Sequence, residues 1–122
     1  MIDITLIREQ PELIAKVCKD RNLDIDVKKI QKADEAKRKL LQDIESMRAE
    51  QKKLGKDDIA KAKKLKKSIQ GLTPKLEKVE QELTALMHQI PNIPFENVPV
   101  GKDESANEVL RTVGKETTFK FD

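Results

Sequence analysis

The chain has no tryptophan and no tyrosine, and only three phenylalanines in 122 residues. A compact globule of this length ordinarily fills its centre with aromatic rings, each of which buries a large area. Without them Leu, Ile, Val and Ala must supply nearly all the buried surface. One cysteine, Cys18, excludes an internal disulfide and fits a reducing compartment. One histidine, His88, excludes a histidine-based metal cluster, and no second cysteine could assist it. The four glycines never form a phosphate-cradling loop. No apolar run approaches the ~18 residues of a membrane span, and the stretch from Met1 to Arg8 lacks the apolar core of a secretory signal. The expectation is a cytoplasmic chain with no membrane contact.

What the sequence has in abundance is charge. Asp, Glu, Lys and Arg make up 39% of the chain, against 37% hydrophobic residues. Lys and Arg total 25 and Asp and Glu 22, so the net charge of +3 excludes a histone-like polycation. High charge with few aromatics leads either to disorder or to long helices with narrow apolar seams. Periodicity decides between them.

Pro11 suits a first helical position, and Leu13, Ile14, Val17 and Cys18 then recur at three- and four-residue spacing. Residues 1–25 are therefore expected to hold a short amphipathic helix, with Ile2, Ile4 and Ile7 folded against it or its neighbours. The stretch 22–26 has turn composition, and Asp24 or Asp26 can cap the next helix. From Val27 one seam runs through Ile30, Ala33, Lys37, Leu40, Ile44, Met47, Gln51 and Leu54. A second runs through Ala62, Leu65, Ile69, Leu72, Leu76, Val79, Leu83, Leu86 and Ile90. Both exceed three heptads. Between them Gly55 suits a helix C-cap and Asp57 or Asp58 an N-cap.

A break this short between two long seams predicts an antiparallel hairpin over residues 26–90, with its tip near 55–58. The second helix would run roughly 50 Å at ~1.5 Å per residue. Gly71 and Pro74 interrupt it, and because the seam continues through Leu72 and Leu76 the expectation is a kink rather than a stop. Pro91, Pro94 and Pro99 make residues 91–101 an extended connector. Val109–Val113 and Thr117–Phe121 have the composition of short strands, though neither can bury a face alone. The fold class predicted is all-α: a long antiparallel two-helix coiled-coil hairpin with a short N-terminal helix and an extended C-terminal connector over residues 91–122.

No residues converge as a catalytic, cofactor or metal constellation. Cys18 sits on an apolar stripe with no base beside it in the pattern, and His88 stands alone. The informative signal is where the positive charge lies. Arg48, Lys52, Lys53, Lys56, Lys61, Lys63, Lys64, Lys66 and Lys67 face only Glu50, Asp57 and Asp58 in the same stretch, a local balance of +6. Positive potential concentrated at the end of a rod suits a polyanion. With no rings on the arm to stack bases, RNA contact would go to phosphates and ribose hydroxyls of a folded helix.

The residues also resemble one family. Met1-Ile2-Asp3 with Ile7-Arg8-Glu9-Gln10-Pro11-Glu12 is similar to the opening of bacterial-type seryl-tRNA synthetases. Asp34-Glu35-Ala36-Lys37-Arg38 and Met47-Arg48-Ala49-Glu50 resemble the first long helix of their arm. Ile90-Pro91-Asn92 and Val98-Pro99-Val100-Gly101-Lys102-Asp103-Glu104, with Asn107, resemble the connector to their catalytic domain. The resemblance spans essentially the whole chain. Departures are Gln10 where Asn is frequent, Gln51-Lys52 for a frequent Arg-Asn pair, and the Gly71 and Pro74 interruption.

The resemblance implies a class II serine–tRNA ligase as parent, activating serine with ATP and Mg and transferring it to tRNA. The arm would grip the long variable arm and elbow of serine tRNA, and the parent would be a homodimer through its catalytic domain. That domain is expected to begin near Phe119 and Phe121, leaving no catalytic, cofactor or metal residue in this stretch. The alternative is a helical-hairpin scaffold or chaperone-like interaction protein, prefoldin-like in outline, that ignores RNA.

Overall fold

The computed structural model describes residues 2–55 and 58–115. Four α-helices succeed one another in the chain: α1 (Ile4–Glu9), α2 (Pro11–Asp20), α3 (Val27–Lys53) and α4 (Ile59–Gln89). The single short N-terminal helix expected from the sequence is thus a pair. Asp3 starts α1 by accepting a hydrogen bond from the Thr5 N–H at 2.8 Å. Pro11 divides α1 from α2, because the residue before a proline is pushed out of the helical region; Gln10 adopts φ −132° and ψ 57°.

The end of α2 is closed by Asn22, whose φ of 53° is left-handed. The Asn22 N–H donates to the Lys19 carbonyl at 2.9 Å and the Leu23 N–H to the Cys18 carbonyl at 2.9 Å. This is a Schellman ending with asparagine where glycine is commoner. Asp26 then caps α3 by accepting from the N–H groups of Lys28 and Lys29 at 3.0 and 3.3 Å. Of the two acids offered by the sequence, Asp26 is the cap.

Helices α3 and α4 lie against each other as an antiparallel pair. At 27 and 31 residues they extend about 40 Å and 46 Å. The seam has an uneven core. Toward the base, Ile30, Leu83, Met87 and Ile90 are buried with Ile7, Ile14, Cys18 and Val27 from the N-terminal helices and the start of α3. Leu13, on the margin of the α2 stripe, stays 36% exposed. Ile44 is buried midway along the rod. Beyond Ile44 on α3, and before Leu83 on α4, no described residue is buried; Met47, Gln51, Ala62 and Leu65 are half-buried. The distal half therefore rests on a thin strip, while the base has the N-terminal helices packed onto it.

Two local expectations are corrected at the turn. Helix α3 stops at Lys53, and its cap is Leu54 in an extended conformation (φ −74°, ψ 137°), with no left-handed Gly55. Asp58 occupies the cap position of α4 without bonding to the helix through its side chain. Its carboxylate instead accepts the Gly55 N–H at 3.3 Å, and its own N–H donates to the Gly55 carbonyl at 3.2 Å. The acid ties the turn together across its two ends. Asp57 and Lys56 lie outside the described residues.

Helix α4 passes through Gly71 and Pro74 without ending. Proline deprives the Gln70 carbonyl of its usual donor. The neighbouring Thr73 hydroxyl donates to the Ile69 carbonyl at 2.8 Å, adding a bond in the same turn. After Ile90 the chain is irregular apart from a turn closed by Val98 N–H and Phe95 carbonyl and a 3-10 turn at Glu104–Ala106. Residues 109–113 form no strand: no described segment runs alongside to supply ladder hydrogen bonds, and Val109, Leu110 and Val113 are exposed. The Thr117–Phe121 stretch lies outside the described residues. Among the described residues no helix is long and apolar enough to cross a membrane.

Candidate nucleic-acid interface

The apolar seam decides where the cations go. A heptad buries two positions and leaves the others to the flanks and the back of each helix. On α3 the seam uses Ile44, Met47 and Gln51, so Arg48, Lys52 and Lys53 must lie outside it. On α4 it uses Ala62, Leu65 and Ile69, which displaces Lys61, Lys63, Lys64, Lys66 and Lys67 in the same way. All eight are exposed. The fold brings them into one region, because the antiparallel pairing sets the end of α3 beside the start of α4. Lys56, the ninth basic residue expected to contact RNA, lies outside the described residues.

One of the eight is paired. Lys61 Nζ lies 3.3 Å from Glu50 Oε1 across the two helices. Among the described residues the other seven make no ion pair. Acidic side chains return nearer the base, where Lys37 meets Glu80 at 3.1 Å and Lys29 meets Glu82 at 3.9 Å. The rod is therefore charge-matched at its base and predominantly positive at its far end.

The base also carries a bond that the sequence did not disclose. Arg8 grips Asp34 with two parallel hydrogen bonds, Nε to Oδ2 and Nη2 to Oδ1, both 2.7 Å. Arg38 Nε stands 3.8 Å from the same carboxylate. Asp34 is 5% exposed. Its hydrogen bonds to Arg8 outweigh the cost of burial and hold its pKa below the ordinary aspartate value. With the Gln31 side-chain amide donating to the Ile7 carbonyl at 3.4 Å, this pair fastens α1 to α3. The only signal in the sequence was an acid beside the seam, and its partner lies 26 residues away.

Cys18 is buried, and that burial raises the pKa of its thiol, so it packs as a small hydrophobe. His88 is exposed near the end of α4. Among the described residues no three His, Cys, Asp or Glu side chains come together as metal donors.

Residues 1–64 match the family model described as the seryl-tRNA synthetase N-terminal domain. The chain belongs to that family. A serine–tRNA ligase of Dehalococcoides mccartyi is 38% identical over 125 residues, covering 99% of this chain and 30% of that protein. One from Desulfitobacterium hafniense is 34% identical over 135 residues, covering all of this chain and 32% of its own length. The crystal structure of seryl-tRNA synthetase from Pyrococcus horikoshii complexed with ATP superimposes with a TM-score of 0.72 at 33% identity. That match takes in 86% of this chain and 27% of the other. The chain thus spans about 30% of the length of the serine–tRNA ligases it matches. Membership of the family agrees with the hairpin architecture, whose two long helices fill the middle of the chain.

Proposed function

We propose that the hairpin is the tRNA-binding arm of a serine–tRNA ligase, holding the long variable arm and elbow of serine tRNA while the parent enzyme attaches serine. The observation that supports this most directly is the distal cluster of exposed Lys and Arg, of which only Lys61 is engaged by a described carboxylate. Lysines on a rigid rod address phosphates through charge, and without aromatic rings they select a folded shape over a base sequence. The exposed cations from which such an interface can be drawn are Arg48, Lys52, Lys53, Lys63, Lys64, Lys66 and Lys67, with Lys61 partly satisfied by Glu50; Lys56 lies outside the described residues. Under this reading ATP and Mg act in the parts of the parent enzyme beyond this chain, as does its dimer contact, and the chain itself binds without turning over substrate.

Binding of the 122-residue chain to serine tRNA and to a tRNA with a short variable loop, across a salt series, tests the proposal. The expected result is tighter binding of the long-armed tRNA. Its log–log salt slope should correspond to several phosphates at about −0.7 to −0.9 each. Equal affinity for both tRNAs, or binding indifferent to salt, contradicts it.

A further inference from the structure

The cations at the far end of the rod are not equivalent, and the ion pairs show how they divide. Glu50–Lys61 and Lys29–Glu82 both cross the same flank of the hairpin, because Glu50 lies three heptads beyond Lys29 and Lys61 three heptads before Glu82. Lys53 and Lys64 each stand three residues after a member of the distal pair, so they belong to this closed flank. The opposite flank is marked at the base by the groove beneath Arg8, where Asp34, Arg38, Leu41, Thr84 and Met87 come together. Two heptads along α3 from Asp34 is Arg48, and three heptads back along α4 from Met87 is Lys66. Lys52 comes four residues after Arg48, and Lys63 precedes Lys66 by three.

Arg48 and Lys66 therefore share a flank, and because they lie two and five residues toward the base from the paired Glu50 and Lys61, they stand within about one turn of each other in height, with Lys52 and Lys63 one turn nearer the tip. All four are exposed, and none has an ion-pair partner among the described residues. A hairpin selected for stability alone would place opposite charges there, as it does at Lys37–Glu80 on the same flank. Facing like charges weaken a helix pair instead. We infer that this flank, bearing Arg48, Lys52, Lys63 and Lys66, is the face that receives the phosphate backbone of a double-stranded stretch of RNA, whereas the flank closed by Glu50–Lys61 faces solvent. The inference rests on the proposed arm function and adds which side of the arm is used. A polyanion laid against that flank supplies the missing counter-charge to Arg48 and Lys66 together, and one strand's phosphates can engage both helices.

The experiment compares two variants that each remove two positive charges from the distal part of the rod: R48A with K66A on the open flank, and K53A with K64A on the closed one. Each is titrated with a serine tRNA carrying its long variable arm, across a salt series, after circular dichroism establishes helix content. The open-flank variant is expected to lose at least tenfold in affinity, with a salt slope shallower by roughly 1.4 to 1.8. The closed-flank variant should stay within threefold. Lys66→Glu adds a readout that an accidental arrangement would not produce. Its new carboxylate faces Arg48, so melting should move up by a few degrees while RNA binding falls. Equal losses from both flanks, or a larger loss from the closed one, overturn the assignment while leaving the arm function standing. No binding of tRNA by the unaltered chain overturns both.

Discussion

Among the described residues one carboxylate, Asp34, is buried, and its pair with Arg8 adds a polar tie between α1 and α3 to the apolar packing at the base. Breaking the Arg8–Asp34 pair has unequal consequences according to which partner is removed. Arg8→Ala strands a carboxylate whose side chain is 7% exposed, with only Arg38 at 3.8 Å. Asp34→Ala frees a guanidinium already 38% exposed, which water can satisfy. Arg8→Ala is expected to lower stability clearly more than Asp34→Ala, measured by urea unfolding. The pH dependence has a definite sign. Because Asp34 is held below its ordinary value in the folded chain, the unfolded chain takes up protons first as pH falls below about 3.9. The contribution is therefore complete above that pH and lost on acidification through the folded-state pKa. Unfolding monitored from pH 6 to pH 3 should show a drop that is smaller in Asp34→Ala; identical acid profiles would remove Asp34 from the account.

At the scale of the element, the decisive feature is a helix that tolerates a proline because its neighbour holds it. Alone, α4 would be cut near Pro74, since the ring crowds the preceding turn and leaves the Gln70 carbonyl without its donor. The seam residues on either side, Leu72 and Leu76, are half-buried against α3, and this packing keeps both halves helical. Pro74→Ala restores the missing hydrogen bond and should stabilise the chain by about 1–3 kcal/mol, read from its thermal or urea transition. A loss of stability would mean that the proline fits a bend required by the packing. The continuity of α4 could be read from its apolar spacing. The Asp58 carboxylate closing the turn could not, because a cap and a turn tie draw on the same residue type.

At the scale of the whole molecule, stability should run downhill from base to tip. The base gathers Ile7, Ile14, Ile30 and Cys18, all almost fully buried, while described seam residues beyond Ile44 are only half-covered. Amide exchange is expected to be slowest around Ile30 and Leu83–Met87 and to quicken steadily toward Gln51 and Ala62. Uniform protection along the rod would contradict this gradient. Ile30→Ala should cost about 3–4 kcal/mol, and Leu65→Ala well under half of that, because a half-exposed cavity refills with water or neighbours. A thin distal core also suits the function proposed: the end that meets RNA has little apolar surface to bury and keeps its charged side chains in water.

The sequence alone determined the two long helices, their seams and the concentration of charge, because roughly 3.5-residue periodicity and composition are local properties carried by consecutive residues. The resemblance over the connector pointed to the family that residues 1–64 then matched. Only the tertiary structure decided which cations are answered and which are not. Glu50 is eleven residues from Lys61 and Arg8 is 26 from Asp34, and no spacing along the chain says that they meet. Folding the rod back on itself sets that pairing, and with it leaves one flank closed by carboxylate and the other open to a polyanion.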